Sequence, residues 1–233
     1  MKPLLTVKDL TVVLDGKTIV SSLSFQLERG DNLAIIGPNG SGKTVLVRAL
    51  LGIVPHRGQI VWVPGAKLGY VPQKIDADRH LPLSFGDLLQ AKERVLHLPP
   101  TEVRSVSEII GLSKEVLETP VGRLSGGQFQ KALIAYALLG SPDVLIMDEP
   151  TASLDQLTEE RVYELMRRLQ EKLGLSFIVV SHDLSMVYRY ANKVLCLNQQ
   201  GLCFGPPHEV LTPQALQALY GEHHQLYQHH HLP

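Results

Sequence analysis

At 233 residues, with 44% hydrophobic and 19% charged residues, the chain can bury the core of one α/β domain, and its composition excludes a disordered or fibrous polypeptide. A formal net charge of −1 gives no electrostatic ground for nucleic-acid binding, so no nucleic-acid partner is expected. Cys196 and Cys203 are too few for a disulfide framework and read as ordinary strand residues in a reducing cytosol. The start, MKPLLTVKDL, has no signal-peptide core because Thr6, Lys8 and Asp9 interrupt it. No apolar run reaches the ~20 residues needed to cross a bilayer, so any membrane role is expected to come through a partner.

In chain order, Leu10 to Leu14 and Thr18 to Leu27 read as two strands joined by Asp15-Gly16, a hairpin signal. Asn32 to Ile36 reads as a short buried strand. It runs into Gly37-Pro38-Asn39-Gly40-Ser41-Gly42-Lys43-Thr44, which fits G-x-x-x-x-G-K-[ST]. The three glycines let backbone N–H groups turn inward and approach phosphate oxygens that a Cβ would obstruct. Lys43 supplies a point charge for terminal phosphates, and Thr44 a hydroxyl for Mg²⁺. A helix from Val45 to Leu51 adds its N-terminal dipole, so the stretch is expected to cradle a nucleoside triphosphate. Gln59 to Val63 and Lys67 to Val71 read as further strands.

From 74 to 123 the texture turns helical. Ser84 is a plausible N-cap for a helix over Phe85 to Leu96, which Pro99-Pro100 follows. Thr101 to Ile110 and Lys114 to Glu118 read as two more helices. Leu124-Ser125-Gly126-Gly127-Gln128 then opens an apolar helix from Phe129 to Leu139. Val144 to Met147 is a buried parallel strand with Asp148-Glu149-Pro150 at its carboxyl end, the edge where doubly wound sheets bind ligands. Ser153-Leu154-Asp155 leads into a helix from Gln156 to Leu173. Ser176 to Val180 is the next buried strand, with Ser181-His182-Asp183 at its tip. Strands over Lys193 to Asn198 and Leu202 to Phe204, and a helix from Pro213 to Tyr220, complete the elements.

These loops converge on one phosphate chain. Asp148 is placed to hold Mg²⁺, directly or through water, and Glu149 to take the proton of an attacking water. His182 is poised to bind the γ-phosphate or orient that water, and Gln73 to reach both metal and water. A buried core histidine or a turn-capping glutamate are the plain alternatives, and adjacency to Asp148 speaks against them.

GPNGSGKT, YVPQ (Tyr70 to Gln73), LSGGQ, LIMDEPTASLD (Leu145 to Asp155) and SHD (Ser181 to Asp183) stand in the order and spacing of an ATP-binding-cassette ATPase subunit, which the chain resembles over nearly its whole length. The resemblance implies a P-loop α/β core with an N-terminal antiparallel β subdomain and an inserted helical subdomain. The core would span 1–73 and 124–221. Residues 74–123 would dock on a separate membrane permease, and 222–233 would form a tail. It also implies ATP and Mg²⁺ as ligands, with Lys43, Gln73, Glu149 and His182 as the catalytic group and Thr44, Gln73 and Asp148 on Mg²⁺. A head-to-tail homodimer is implied, in which Ser125, Gly126, Gly127, Gln128 and Asp155 of one subunit reach the ATP of the other. One departure is Leu14, which stands where the family usually stacks an aromatic residue on adenine; Tyr70 is a substitute to consider.

The stretch from Leu68 to Pro82 resembles metal-chelate and divalent-metal importers, and VSHDL, VLCLN and the Cys203-Phe204-Gly205-Pro206 segment are similar to the ATPase of the bacterial high-affinity zinc importer. That implies zinc uptake at the cytoplasmic face of the inner membrane, fed indirectly by a substrate-binding protein. Importers of manganese, an iron chelate or haem, and a soluble non-transport cassette, are the alternatives. His223, His224, His229, His230 and His231 crowd the last residues, and neutral imidazoles are good zinc ligands. A solvated terminus without a specific site is the plain alternative.

Overall fold

The computed structural model describes residues 2–73, 83–152, 154–198 and 201–221. β1 (Leu5–Leu14) and β2 (Lys17–Leu27) form a hairpin whose turn residues, Asp15 (φ 48) and Gly16 (φ 74), both take the positive φ of a type I′ connection. β3 (Asn32–Ile36) leads through the glycine-rich loop into α1 (Lys43–Leu50). β4 (Arg57–Trp62) returns to pair antiparallel with β1, closing a three-stranded sheet of order β2-β1-β4. β5 (Leu68–Val71) leaves that sheet and pairs parallel with a later strand.

Three helices follow, α2 (Phe85–Val95), α3 (Glu102–Ile110) and α4 (Lys114–Glu118), then a 3-10 turn over Val121–Arg123. Ser84 caps α2, accepting from the Asp87 peptide while the Asp87 side chain accepts from that of Ser84, a reciprocal capping box. The rest alternates: α5 (Gly126–Leu138), β6 (Val144–Asp148), α6 (Gln156–Leu173), β7 (Ser176–Val180), α7 (Leu184–Tyr190) and β8 (Lys193–Asn198). β9 (Gly201–Gly205), α8 (Pro207–Val210) and α9 (Pro213–Tyr220) finish the described chain.

The second sheet has the order β5-β6-β7-β3-β8-β9, parallel except for β9. Its inner strands β6 and β7 are buried along their whole length, which is why VLIMD and SFIVV lack alternation: both faces are covered. One core packs α1 between the two sheets through residues such as Leu10, Phe25, Leu46 and Ile146. A second joins α2, α3, α5 and α6 to the opposite sheet face through Leu89, Ile110, Ile134, Leu165 and Phe177. A smaller third core seats α9 against β3 and β8.

The sequence reading gives no helix at α7 or α8, both short, and three further details differ from it. β1 begins at Leu5 rather than Leu10. A register shift between Val7 and Leu10, with Asp9 at φ 49, breaks the alternation that marks a strand. α5 begins at Gly126, not Phe129, because Ser125 caps it and overrides the poor helix propensity of the two glycines. Cys196 and Cys203 are not merely strand residues. The β8–β9 register sets them opposite one another and a disulfide joins them. Residues 74–82, Ser153 and the tail histidines lie outside the described residues.

Candidate nucleotide site

The loop from Gly37 to Thr44 is shaped by close packing from behind. A Cβ on Gly37 (φ 152) would run into the Leu197 carbonyl oxygen and stand 2.8 Å from Ser41 Oγ. One on Gly42 (φ 97) would stand 2.8 Å from Ile19 Cγ2. Lys43 folds back over the loop, donating to the carbonyls of Gly37 (2.9 Å) and Pro38 (3.0 Å). Burial lowers its pKa, and the negative charges of Glu149 and Asp148 push it back up. Ser41 Oγ is buried without a partner among the described residues. An orphan hydroxyl, a buried lysine and the start of α1 together suit an anion.

Asp148 closes β6, only 1% exposed, and neither carboxylate oxygen makes a well-formed hydrogen bond among the described residues, although the Thr44 hydroxyl interacts with the carboxylate. Burial raises its pKa; Thr44 beside it pulls it down, Glu149 raises it further, and Arg48 and Lys43 lower it. A dry carboxylate next to a threonine hydroxyl is a hard oxygen set, and these residues fit a Mg²⁺ ion.

Glu149 takes the left-handed conformation (φ 49), uncommon outside glycine, and its peptide N–H donates to the Val180 carbonyl at 3.2 Å. This turns its side chain toward two neighbouring loops. Gln73 Nε2 donates to Glu149 Oε2 at 2.5 Å, and His182 Nε2 lies 2.6 Å from Glu149 Oε1. With the carboxylate ionised, that second contact requires the proton on Nε2. The residues following β5, β6 and β7 therefore meet at one carboxylate.

Ser125, Gly126, Gly127, Gln128 and Asp155 form a separate unit. Ser125 N–H donates to Gln128 Oε1 (2.9 Å) and Gln128 N–H to Ser125 Oγ (3.3 Å). Asp155 caps α6, accepting from the Thr158 peptide (3.0 Å) and hydroxyl (2.7 Å), which holds its carboxyl below the usual range. The glycines let the two helix starts touch: a Cβ on Gly127 would stand 2.9 Å from Thr158 Cγ2. The hydrogen bonds of Ser125, Gln128 and Asp155 run within this unit, not to Gly37–Thr44.

Leu14 sits half-buried at the hairpin end and packs with Ile19 against the core around α1. Tyr70 is half-buried in β5, its pKa raised by burial and by Asp148, which puts it on the acid side of the site. Sequence reasoning missed two supports. The Tyr163 hydroxyl lies 3.2 Å from Ser181 Oγ, which also accepts from the Asp183 peptide (3.1 Å) and so braces the His182 turn. Tyr220, at the end of α9, is half-buried with its hydroxyl covered beside the Gly37 backbone. No local pattern marks either residue; both depend on tertiary placement.

The sequence pattern of ABC transporters matches residues 20–152, more than half of the chain. The chain belongs to the ABC transporter family. As a cassette of that family it binds and hydrolyses ATP. It is 38% identical to the zinc import ATP-binding protein ZnuC of Chromohalobacter salexigens, covering 98% of this chain and 95% of that one. It is 37% identical to the protein of the same name in Yersinia enterocolitica, covering 99% of this cassette and 92% of the relative. Among solved structures, an inward-facing ABC transporter assigned to the metal-chelate type superposes with a TM-score of 0.85 at 28% identity, covering 94% of this cassette and 89% of that chain. Among the described residues no helix is long and apolar enough to cross a membrane.

Proposed function

We propose that this cassette powers uptake of a divalent metal ion, zinc, through separate membrane permease subunits, working as a homodimer at the cytoplasmic face of the inner membrane. The observation that carries the catalytic half is the Glu149 carboxylate gripped by Gln73 and His182. Lys43 and the backbone N–H groups of the Gly37–Thr44 loop, Pro38 having none, would bind the β- and γ-phosphates. Glu149 would accept a proton from the attacking water, and His182 would orient that water and contact the γ-phosphate. Thr44, Asp148 and Gln73 would hold Mg²⁺, which when bound neutralises phosphate charge. Gln73 donates through Nε2, leaving its Oε1 available as a ligand.

Ser125 and Gln128 cap one another and Asp155 caps α6 through Thr158, so the Gly126 and Gly127 N–H groups at the start of α5, with the Ser125 hydroxyl and Asp155, would serve the nucleotide of a second subunit. Loss of the γ-phosphate would remove the charge that bridges the halves and let them part. Helices α2 to α4, within 74–123, would dock on the permease, and a substrate-binding protein would deliver the cargo from outside.

Zinc rests on the names of the relatives, and the metal-chelate neighbour favours a chelated metal as the second reading. Among the described residues no cluster of three or more His, Cys, Asp or Glu is placed to hold a metal, and the tail histidines lie outside them. Expression in a cell lacking its own zinc-import ATPase, together with the matching permease, tests the assignment. Growth under zinc chelation should return with the parent chain and not with Lys43→Ala. Equal expression without growth, or rescue by iron alone, would contradict zinc. Titrating Zn²⁺ into the protein with and without 222–233 tests the tail; equal affinity would remove it.

A further inference from the structure

Helix α6 reaches both loops that carry Glu149 and His182. Its residues Glu159 and Tyr163 are four apart and so share one face. Glu159 Oε1 accepts from the hydroxyl of Thr151, two residues beyond Glu149, at 2.6 Å. The Tyr163 hydroxyl lies 3.2 Å from Oγ of Ser181, the residue before His182, and interacts with the Thr151 hydroxyl as well. Tyr163 and Ser181 are 4% and 5% exposed. Glu149, His182, Thr151, Glu159 and Ser181 all line one cavity of about 310 Å³ between the two loops.

The hydrogens in this group run in one sense. Thr151 spends its only hydroxyl hydrogen on Glu159, so toward Tyr163 it can only accept. Tyr163 therefore donates to Thr151 and accepts from Ser181, whose oxygen in turn accepts from the Asp183 peptide at 3.1 Å. A row of donors thus leads from the turn after β7, through α6, to the loop after β6, and ends on a carboxylate. Hydroxyls aligned this way in a dry interior reinforce one another. Packing alone does not call for the phenol oxygen, since a phenylalanine ring would stack on Tyr190 equally well. The two loops, by contrast, need a tie. Glu149 sits at φ 49, a sparsely populated conformation, and His182 is exposed, with its Nε2 against Glu149 Oε1.

We propose that Tyr163 is a positioning residue for ATP hydrolysis, its hydroxyl pinning the His182 turn to the loop that carries Glu149. Being buried, it acts through Ser181 and Thr151 and not on the nucleotide. Without the tie the turn is free to shift against Glu149, and small misplacements of this kind slow chemistry more than they weaken binding. The inference rests on the catalytic reading of Glu149 and His182 and extends it to a residue outside the sequence motifs.

Steady-state phosphate release by the full chain, with its permease supplied, tests this. Tyr163→Phe keeps the ring and its stack and deletes the hydroxyl. Its kcat should fall about tenfold while the KM for ATP stays within about twofold. In a His182→Ala background the same change should cost less than about twofold, because its effect runs through His182. Thr151→Val breaks the row at a half-buried position and should reproduce the loss of kcat; Thr151→Ser keeps the hydroxyl and should not. If Tyr163→Phe does not fold, the two Thr151 variants decide. A merely structural tyrosine would lower the melting temperature and slow both backgrounds alike. Unchanged kcat on loss of either hydroxyl, or equal losses with and without His182, would overturn the inference while leaving the roles of Glu149 and His182 intact. Unchanged turnover in His182→Ala alone would remove the catalytic reading of His182, and this inference with it.

Discussion

Glu149 Oε1 and His182 Nε2 stand 2.6 Å apart although 33 residues separate them in the chain. The register of β6 against β7 brings this about: Asp148 pairs with Val180, so the chain leaves both strands at the same level. Gln73 approaches the other carboxylate oxygen from the end of β5, beside β6 in the same sheet. Parallel strands ending together thus build an oriented carboxylate beside the phosphate loop.

Replacing Glu149 by Gln removes the acceptor for the proton of water and keeps the shape. ATP turnover should fall by about 10²- to 10⁴-fold, the usual contribution of a general base. Nucleotide affinity should stay within about threefold, since Lys43 and the loop amides are untouched. Steady-state phosphate release and equilibrium nucleotide binding measure the two; unchanged turnover would remove Glu149 from the role of base.

Gln73 and His182 hold the same carboxylate, so their effects should overlap. Gln73→Ala and His182→Ala should each slow turnover. The double variant should lose less than the product of the two single losses, because groups acting as one unit are not additive. A multiplicative loss would mean that the two residues act separately.

Asp148 gives a pH test. Its carboxyl is raised above the ~3.9 of an unfolded chain, first by burial. Below about pH 4 it is neutral in both states and costs nothing. As pH rises from there to the folded pKa the native state loses stability relative to the unfolded chain, and above it the penalty is constant. Asp148→Asn lacks this penalty. Nucleotide-free, its melting temperature should match the parent near pH 4 and exceed it by a gap that widens with pH and then levels. MgATP should raise the melting temperature of the parent much more than that of the variant. A gap that narrows with rising pH would contradict the assignment.

Gly37 and Gly40 make a graded pair. A methyl on Gly37 meets the Leu197 carbonyl, whereas one on Gly40 (φ 79) meets nothing within 4 Å and suffers only backbone strain. Gly37→Ala should cost roughly 1–3 kcal/mol, about 2–10 °C in melting temperature, and weaken ATP binding about tenfold or more. Gly40→Ala should cost only about 1–2 kcal/mol. Thermal melts with nucleotide titrations read both, and equal losses would place the constraint elsewhere than at Leu197.

Much of this was legible in the chain. Apolar runs such as VLIMD and SFIVV, each ending in a polar turn, marked buried parallel strands and placed Asp148 and His182 at their tips. What stayed hidden depended on register or on short elements. β1 escaped in its first half because the irregularity at Asp9 exposes Lys8 and Asp9 together. α7, only seven residues long, is too brief for helical periodicity, and its start is set by the Asp183 cap. The Cys196–Cys203 pairing follows from hairpin register, and the hold of Gln73 on Glu149 from sheet order; neither leaves a local trace. The crowded backing of Gly37 by Leu197 comes from strands adjacent in space and 160 residues apart in the chain.

The central claim is that two copies of this cassette enclose two nucleotides, each held by Lys43 of one and Ser125 of the other. Sedimentation of the Glu149→Gln protein at saturating MgATP, with its permease supplied, tests it most directly. The account predicts a nucleotide-dependent dimer of the ATPase that Ser125→Arg abolishes without lowering the nucleotide affinity of the single subunit. Monomers that bind MgATP fully yet fail to associate would contradict it.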